Sequence, residues 1–440
     1  MAERDGPAAD VAIVGAGAAG LATALFLTRD CPGASVVALD GAPRIGAKIL
    51  VSGGGRCNVT NVRVRAEDFY GGNPHVLRRV LAAFSAQQTR AFFEQIGVPL
   101  HEEEYGKLFP DSNSARAVLA ALLREAARHG ACVLARHRVT AAEPAADRFH
   151  LAVRVGPANE AQSQTWTARY VVLATGGLSL PRTGSDGLGY QLARRLGHSL
   201  VPTTPALDPL VLDGDLHRPL AGIAHDVELL VQVAGCKPRR IRGPLLWTHF
   251  GVSGPAAMNA SRFWNRARVE GRSASIAANL LAGLDFQAAE RAWLDFASTQ
   301  PRTHQSTALR RWLPARVADA VLIRAGADPA QSVAQIPRAQ RRRLLHRLLA
   351  WPLPVVATRG YRYAEVTAGG VPLDEIDPST LESRCCPGLY LAGEILDVDG
   401  PIGGFNFQWA WSSAWVAAAA LARRLSGRPT GAVPRGRAGA

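Results

Sequence analysis

Apolar positions in the first forty residues switch from a continuous run to helical spacing and back. Val11 to Val14 form an unbroken apolar stretch, a glycine-rich turn follows, and apolar residues then recur at helical spacing to Leu27. A second run, Val36 to Leu39, ends on Asp40. This pattern predicts strand, turn, helix and strand. Gly15, Gly17 and Gly20 stand in the turn at G-x-G-x-x-G spacing. The first permits the tight turn, the second lets the backbone approach a pyrophosphate, and the third lets helix and strand pack closely. The helix N-terminus then faces the anion. Gly15, Ala16, Gly17, Ala18, Ala19 and Gly20 are therefore candidate dinucleotide contacts. Asp40 stands where a carboxylate accepts from a ribose 2′-hydroxyl. A 2′-phosphate would meet a like charge there, which argues against NADP at this site.

Two further strand patterns lie far along the chain, "YVVLATGG" at 170–177 and "GLYLAGEILD" at 388–397. The second is followed by "GPIGG" and a long apolar segment ending in Arg423 and Arg424, which suit a helix C-terminus. Between them "HDVELLVQVAG" and "ASIAANLLAG" have β character, and 284–350 reads as short helices rich in Ala, Leu and Arg. The expected fold is α/β: a Rossmann-type dinucleotide domain interrupted by a β-rich insert that carries a helical subdomain. The expected boundaries are 1–198 for the first part of the dinucleotide domain and 199–283 for the insert. The helical subdomain takes 284–350, the insert's return 351–363 and the second part of the dinucleotide domain 364–425. A disordered basic tail is expected over 426–440.

At 440 residues, 48% of them hydrophobic and 20% charged, the chain has room for two or three domains and reads as an ordinary globular protein. No apolar run reaches the roughly 18 residues of a membrane span, and "MAERDGPAAD" lacks a signal peptide's basic start and apolar middle. A cytoplasmic location without membrane contact is expected. Cys31, Cys57, Cys132, Cys236, Cys385 and Cys386 include no CxxC pair and no Cys/His cluster of zinc spacing, so neither a disulfide framework nor a metal is indicated. The net charge is +14 and almost all the positive charge is arginine, lysine occurring only at positions 48, 107 and 237. Ten arginines fall between Arg302 and Arg347 against Asp319 and Asp328. Such a cluster attracts polyanions, RNA above all. Only Trp312 and Trp351 offer stacking surface there, so a solvated basic face stands level with an RNA-contacting one.

Five segments together resemble the BaiN-like (YhiN-like) flavoproteins. They are the N-terminal turn, "GAKILVSGGGRCNVTN" (46–61), "VVLATGGLSLPRTGSDGLGYQLA" (171–193), "GPLLWTHFGVSGPAAMNASR" (243–262) and the stretch from "AEVTAGGV" to "FNFQWAWSSAW" (364–415). The resemblance covers nearly the whole chain. It implies FAD held by a two-part domain of the glutathione reductase type. It brings Ser52, Gly53, Gly54, Gly55, Arg56, Cys57 and Asn58 toward the flavin and its diphosphate, with Lys48 as a phosphate partner. It sets Ala174, Thr175 and Gly176 over the cofactor and Val139 at the adenine. Gly393 with Glu394 or Asp397 is set at the ribityl chain, and Gly403, Gly404, Phe405 and Asn406 at a helix start near the flavin ring. Amides at such a start stabilise negative charge on the reduced ring.

Dithiol enzymes of the related fold place two cysteines five apart beside the flavin, whereas Cys57 is followed at that spacing by Val62. Disulfide exchange is not expected. No second strand leads into a G-x-G-x-x-G turn, so NAD(P)H either docks transiently at the flavin or the substrate itself reduces it. The resemblance implies one of two chemistries: reduction of an activated carbon–carbon double bond, in a steroid-like enone or in uridine of ribosomal RNA, or oxidation of an amine by oxygen. A non-catalytic flavin-bearing RNA-binding protein is a third possibility. Reduction needs a proton donor, and the candidates are Cys57, His249, Tyr105 and Lys107, the last two on an expected loop, "EYGKLFP". Trp409, Trp411 and Trp415, at helical spacing, are expected in the core rather than against a base.

Overall fold

The computed structural model describes residues 6–157 and 159–427; from 428 onward the expected basic tail lies outside the described residues. The chain forms two compact units, one from residues up to Thr203 together with those from Glu365 onward, the other from Thr204 to Ala364.

The first unit is built on a seven-stranded sheet. Strands Cys132–Leu134, Val36–Leu39, Ala8–Val14, Gln162–Leu173 and Leu389–Leu391 run parallel in that spatial order. Phe149–Val155 and His137–Pro144 extend it as an antiparallel meander from the long strand Gln162–Leu173. Val11 to Val14 are buried, as a strand covered on both faces requires. Helix Ala18–Asp30 is buried from Ala19 to Thr28, and its two internal threonines donate to backbone, Thr23 to Ala19 O and Thr28 to Ala24 O, both at 2.8 Å. Buried hydroxyls are thereby satisfied inside the helix.

The final helix, Phe405–Leu425, packs against Ala18–Asp30. Trp409 and Trp411 are each 1% exposed, and their indole N–H groups donate to Gly393 O (3.1 Å) and Val59 O (2.9 Å). Trp415 stacks on Phe84 at 5.1 Å between centroids. These indoles belong to the core, as their spacing predicts. The segment between Val59 and Arg128, where the sequence patterns are weakest, supplies helices Pro74–Ala83, Ala86–Gln95 and Ala115–Arg128 and a three-stranded sheet. Of "EYGKLFP", Glu104–Gly106 forms a short turn that holds Tyr105, as expected, while Lys107 lies in the sheet and not on a loop. Lys107–Pro110 pairs antiparallel with Leu100–Glu103, and Tyr105 and Gly106 make the turn with φ of 64° and 70°. A tyrosine in the left-handed region carries no turn signature in sequence, which is why the hairpin is not legible there.

The second unit holds an all-antiparallel sheet of seven strands. In strand Ala224–Val233 the residues Val227, Leu229 and Val231 are buried, and in Arg239–Thr248 so are Leu245 and Trp247. This is the alternation of a sheet with one covered face. Helix Gly254–Val269 packs on these two strands. Helices Phe286–Thr299, Gln305–Leu309, Ala315–Arg324 and Arg338–Leu349 lie within this unit, in the stretch expected to be helical. Among the described residues no helix is long and apolar enough to cross a membrane.

Candidate dinucleotide site

The three turn glycines do three different things. A side chain on Gly15 (φ +99°) would put its Cβ 2.6 Å from Ala174 O, and one on Gly20 would put it 1.9 Å from Gly15 O. At Gly17 a Cβ would meet no protein atom within 4 Å. The outer two glycines allow backbone to touch backbone, while the middle one opens onto free space. That is the cradle a pyrophosphate needs at a helix N-terminus. Asp40 closes the cradle from the next strand. Its Oδ2 accepts from Ala16 N at 2.7 Å and its Oδ1 from Ala42 N at 2.8 Å.

Other segments converge on this turn. Gly393 (φ +79°) lies so close to the first turn of the helix that a Cβ would sit 2.7 Å from the Ala19 Cβ, and Ser413 Oγ accepts from its amide. Ala174 N donates to Val14 O and Ala392 N to Leu173 O, which aligns "ATGG" and "AGE" with the glycine turn. Beside Gly176 lies Glu394, whose Oε2 accepts from Lys48 Nζ at 2.7 Å. Ser179 Oγ lies 2.8 Å from both Lys48 Nζ and Glu394 Oε1, and Thr367 N donates to Oε1 at 2.9 Å. Asp397 Oδ2 accepts from Gly72 N. Val139 is buried at an irregularity in the pairing of the outer meander strands.

Gly53, Gly54 and Gly55 are exposed and all have positive φ, and no protein atom lies within 4 Å of a Cβ at Gly54. Ser52 Oγ donates to Ile49 O. Arg56 extends from this loop over the Phe109 ring and pairs with Glu103 at 2.5 Å. Asn58 hydrogen-bonds Thr60 O and Leu108 O through its amide nitrogen, and its oxygen takes Gly404 N. Gly404 lies directly on the Thr60 backbone, and Asn61 Nδ2 donates to Gly403 O at 3.1 Å. Asn406 exchanges hydrogen bonds with both backbone groups of Gly400 and so fixes the approach to the helix, of which Phe405 is the first residue. The cofactor candidates thus lie in one unit, joined by contacts between its two chain passes.

The proton-donor candidates fall in different settings. Cys57 is fully buried, and burial pushes its thiol up to about 12, so it keeps its proton at neutral pH. Tyr105 is exposed, with Lys107 Nζ 5.5 Å from its ring centre. His249 belongs to the second unit, exposed on the turn between strands Arg239–Thr248 and Gly251–Ser253, its ring 5.1 Å from that of Phe250.

Glu365 was not singled out from the sequence. It keeps an accessible face, yet protein crowds its carboxyl and raises its pKa, while the charges of Lys48 and Lys107 pull it down. One glutamate before a β-branched run carries no signal of its own, and its neighbours come from distant segments. Elsewhere in this unit the ligand-type atoms of His198, Glu375 and Cys385 gather within 4.8 Å. Both His198 ring nitrogens are already engaged, Nδ1 with Glu375 at 2.7 Å and Nε2 with Ser383 at 2.8 Å. This trio pins the two chain passes together.

A glycine cradle open at its middle residue, closed by a strand-end aspartate and set on a parallel sheet, defines a Rossmann-type dinucleotide-binding protein. The chain belongs to the family described as HI0933-like protein Rossmann domain, which it matches over residues 9–420; this is a flavoprotein oxidoreductase family. It is 34% identical to a ribosomal RNA dihydrouridine synthase of Escherichia coli, over 93% of this chain and 97% of that one. It is 33% identical to the protein of the same name from Haemophilus influenzae, over 94% and 98%. It is also 31% identical to a 3-dehydro-bile acid delta(4,6)-reductase of Clostridium scindens, over 94% and 99%.

Proposed function

We propose that the protein is an FAD-dependent reductase that saturates an activated carbon–carbon double bond, with NADH or NADPH as transient electron donor and a uridine in RNA as the acceptor. The observation that carries this reading is the cradle itself, with open space beside Gly17 and an acid rather than a base at the ribose position. Bound FAD supplies hydride transfer. The chain's residues do the rest. The amides of the Gly15–Gly20 turn receive the diphosphate and Asp40 the adenosine ribose. Glu394, held by Lys48, Ser179 and Thr367, presents a fixed acceptor beside Gly176.

The reaction class draws support from the relatives. Making dihydrouridine and reducing a delta(4,6) bile acid both add two hydrogens across a double bond. RNA is favoured over a small enone by charge. The second unit holds 22 of the 50 basic residues but only 11 of the 36 acidic ones, so it carries most of the chain's excess positive charge.

An anaerobic absorbance titration with NADH and NADPH, followed by uridine-containing ribosomal RNA or a small enone, tests the reading. Bleaching by a nicotinamide and recovery with RNA is the expected outcome. Bleaching only by amines, with recovery only in air, replaces the reductase with an oxidase.

A further inference from the structure

We propose that Glu365 delivers the proton that completes double-bond reduction, an inference that rests on the reductase reading above. Four features of its surroundings support the assignment. Glu365 immediately precedes strand Val366–Gly370, whose Thr367 amide is bound to Glu394, which brings its backbone beside the Lys48–Glu394 pair. Its own carbonyl accepts from Ser179 Oγ at 3.2 Å, the hydroxyl that also touches Lys48 and Glu394. The residue is exposed and its carboxyl, among the described residues, makes no hydrogen bond or ion pair, whereas Glu394 is held by three donors. Finally, it feels the charges of Lys48 and Lys107, which come from separate segments.

These two neighbouring glutamates suit opposite roles. Glu394 is tied down as an acceptor. Glu365 is crowded by protein without fixed donors, a setting that pushes its pKa up and favours the acid form. In the reaction, hydride originating from the nicotinamide adds to one carbon of the double bond. The π pair takes the Glu365 acid proton at the neighbouring carbon. The acceptor gains two electrons, the nicotinamide loses two, and solvent reprotonates the carboxylate.

The test uses the flavin-loaded full chain, its Glu365→Gln variant and its Glu365→Asp variant. Flavin bleaching by NADH or NADPH is expected to be unchanged in Glu365→Gln. Recovery of colour on adding uridine-containing RNA is expected to slow by about a hundredfold or more, and Glu365→Asp should restore part of the rate. Wild-type turnover should fall as pH rises through the Glu365 pKa, and that limb should vanish in Glu365→Gln. A protonated-carboxyl infrared band that titrates with the same midpoint as turnover should be present in the wild type and absent from Glu365→Gln. Equal recovery rates in wild type and Glu365→Gln would overturn the assignment, as would an infrared band unchanged by the substitution. A wild type that keeps the band but reduces neither RNA nor enone would instead sink the reductase reading, and this role with it.

Discussion

Lys48 and Glu394 stand 346 positions apart in the chain, and their charged groups meet at 2.7 Å, both largely shielded from solvent. The contact ties the first pass through the dinucleotide unit to the return pass. Its two ends are not equivalent. Without Lys48, the Glu394 carboxylate still accepts from Ser179 and Thr367 N. Without Glu394, the Lys48 ammonium keeps, among the described residues, a hydrogen bond to Ser179 alone. Lys48→Met should therefore cost little stability, under about 1 kcal/mol, and Glu394→Leu on the order of 2 kcal/mol, since a shielded charge left short of partners carries the larger penalty. Urea unfolding of the two variants checks the order, and equal losses would refute it.

Gly17 and Gly20 make a matched pair of substitutions. A valine at 17 projects into space that no protein atom occupies, so the fold should persist while the diphosphate is excluded. Gly17→Val should purify folded and colourless. An alanine at 20 would sit 1.9 Å from Gly15 O, so Gly20→Ala should lose thermal stability even before cofactor is considered. Circular dichroism melts and bound-flavin absorbance separate the two effects. A yellow Gly17→Val would remove the cradle from the site.

The first strand, turn, helix and second strand were legible because their signals are local: period, glycine spacing and a terminal acid all lie within thirty residues. The core placement of Trp409 and Trp411 was legible for the same reason. The Tyr105 hairpin was not, since a tyrosine at φ 64° is dictated by the strands on either side. The setting of Glu365 was invisible as well. Lys48, Lys107 and Glu394 are brought to it by the tertiary fold, and single-sequence patterns carry no information across such separations. The same holds for His198 and Glu375, whose contact spans 177 positions without any spacing motif.

Lys107 offers a pH handle on the proton-donor assignment. Its positive charge lowers the Glu365 pKa, so Lys107→Met should raise it. An acid that must be protonated to act then stays competent to higher pH. The alkaline limb of the RNA-reduction profile should move to higher pH, with flavin reduction by NADH unaffected. A limb that stays in place would show that Lys107 does not act on the donor.

Asp208, in the second unit, is fully buried and its carboxyl is raised to about 6. Burial drives the shift against hydrogen bonds from Thr358 and from Gly360 N, and Oδ1 has no partner among the described residues. A folded-state pKa above the ordinary value of 3.8 means that the native protein holds the proton more tightly than the unfolded chain. The associated stability is complete below about pH 4 and is lost as pH rises through about 6, on the order of 3 kcal/mol in all. Urea midpoints should show that decline in the wild type. Asp208→Asn should remove it, and an unchanged slope in the variant would assign the decline to another group.

The basic helix Arg338–Leu349 is the place to test the polyanion partner, but its arginines are not interchangeable. Arg341 and Arg342 both reach Glu290, at 3.5 and 3.3 Å, so reversing them would damage this helical stretch as well as any RNA contact. Arg338, Arg343 and Arg347 are exposed, and Arg347 lies over the Trp351 ring with no acid partner among the described residues. Arg338→Glu, Arg343→Glu and Arg347→Glu together should leave the melting temperature nearly unchanged. RNA affinity should fall at least tenfold at low salt. If the three side chains contact phosphates, the slope of log affinity against log salt should shrink by about 2 for single-stranded RNA, since each neutralised phosphate contributes about 0.7. A lower affinity with an unchanged slope would indicate an indirect effect on the fold. Unchanged affinity would place RNA binding on another surface or remove RNA as the acceptor.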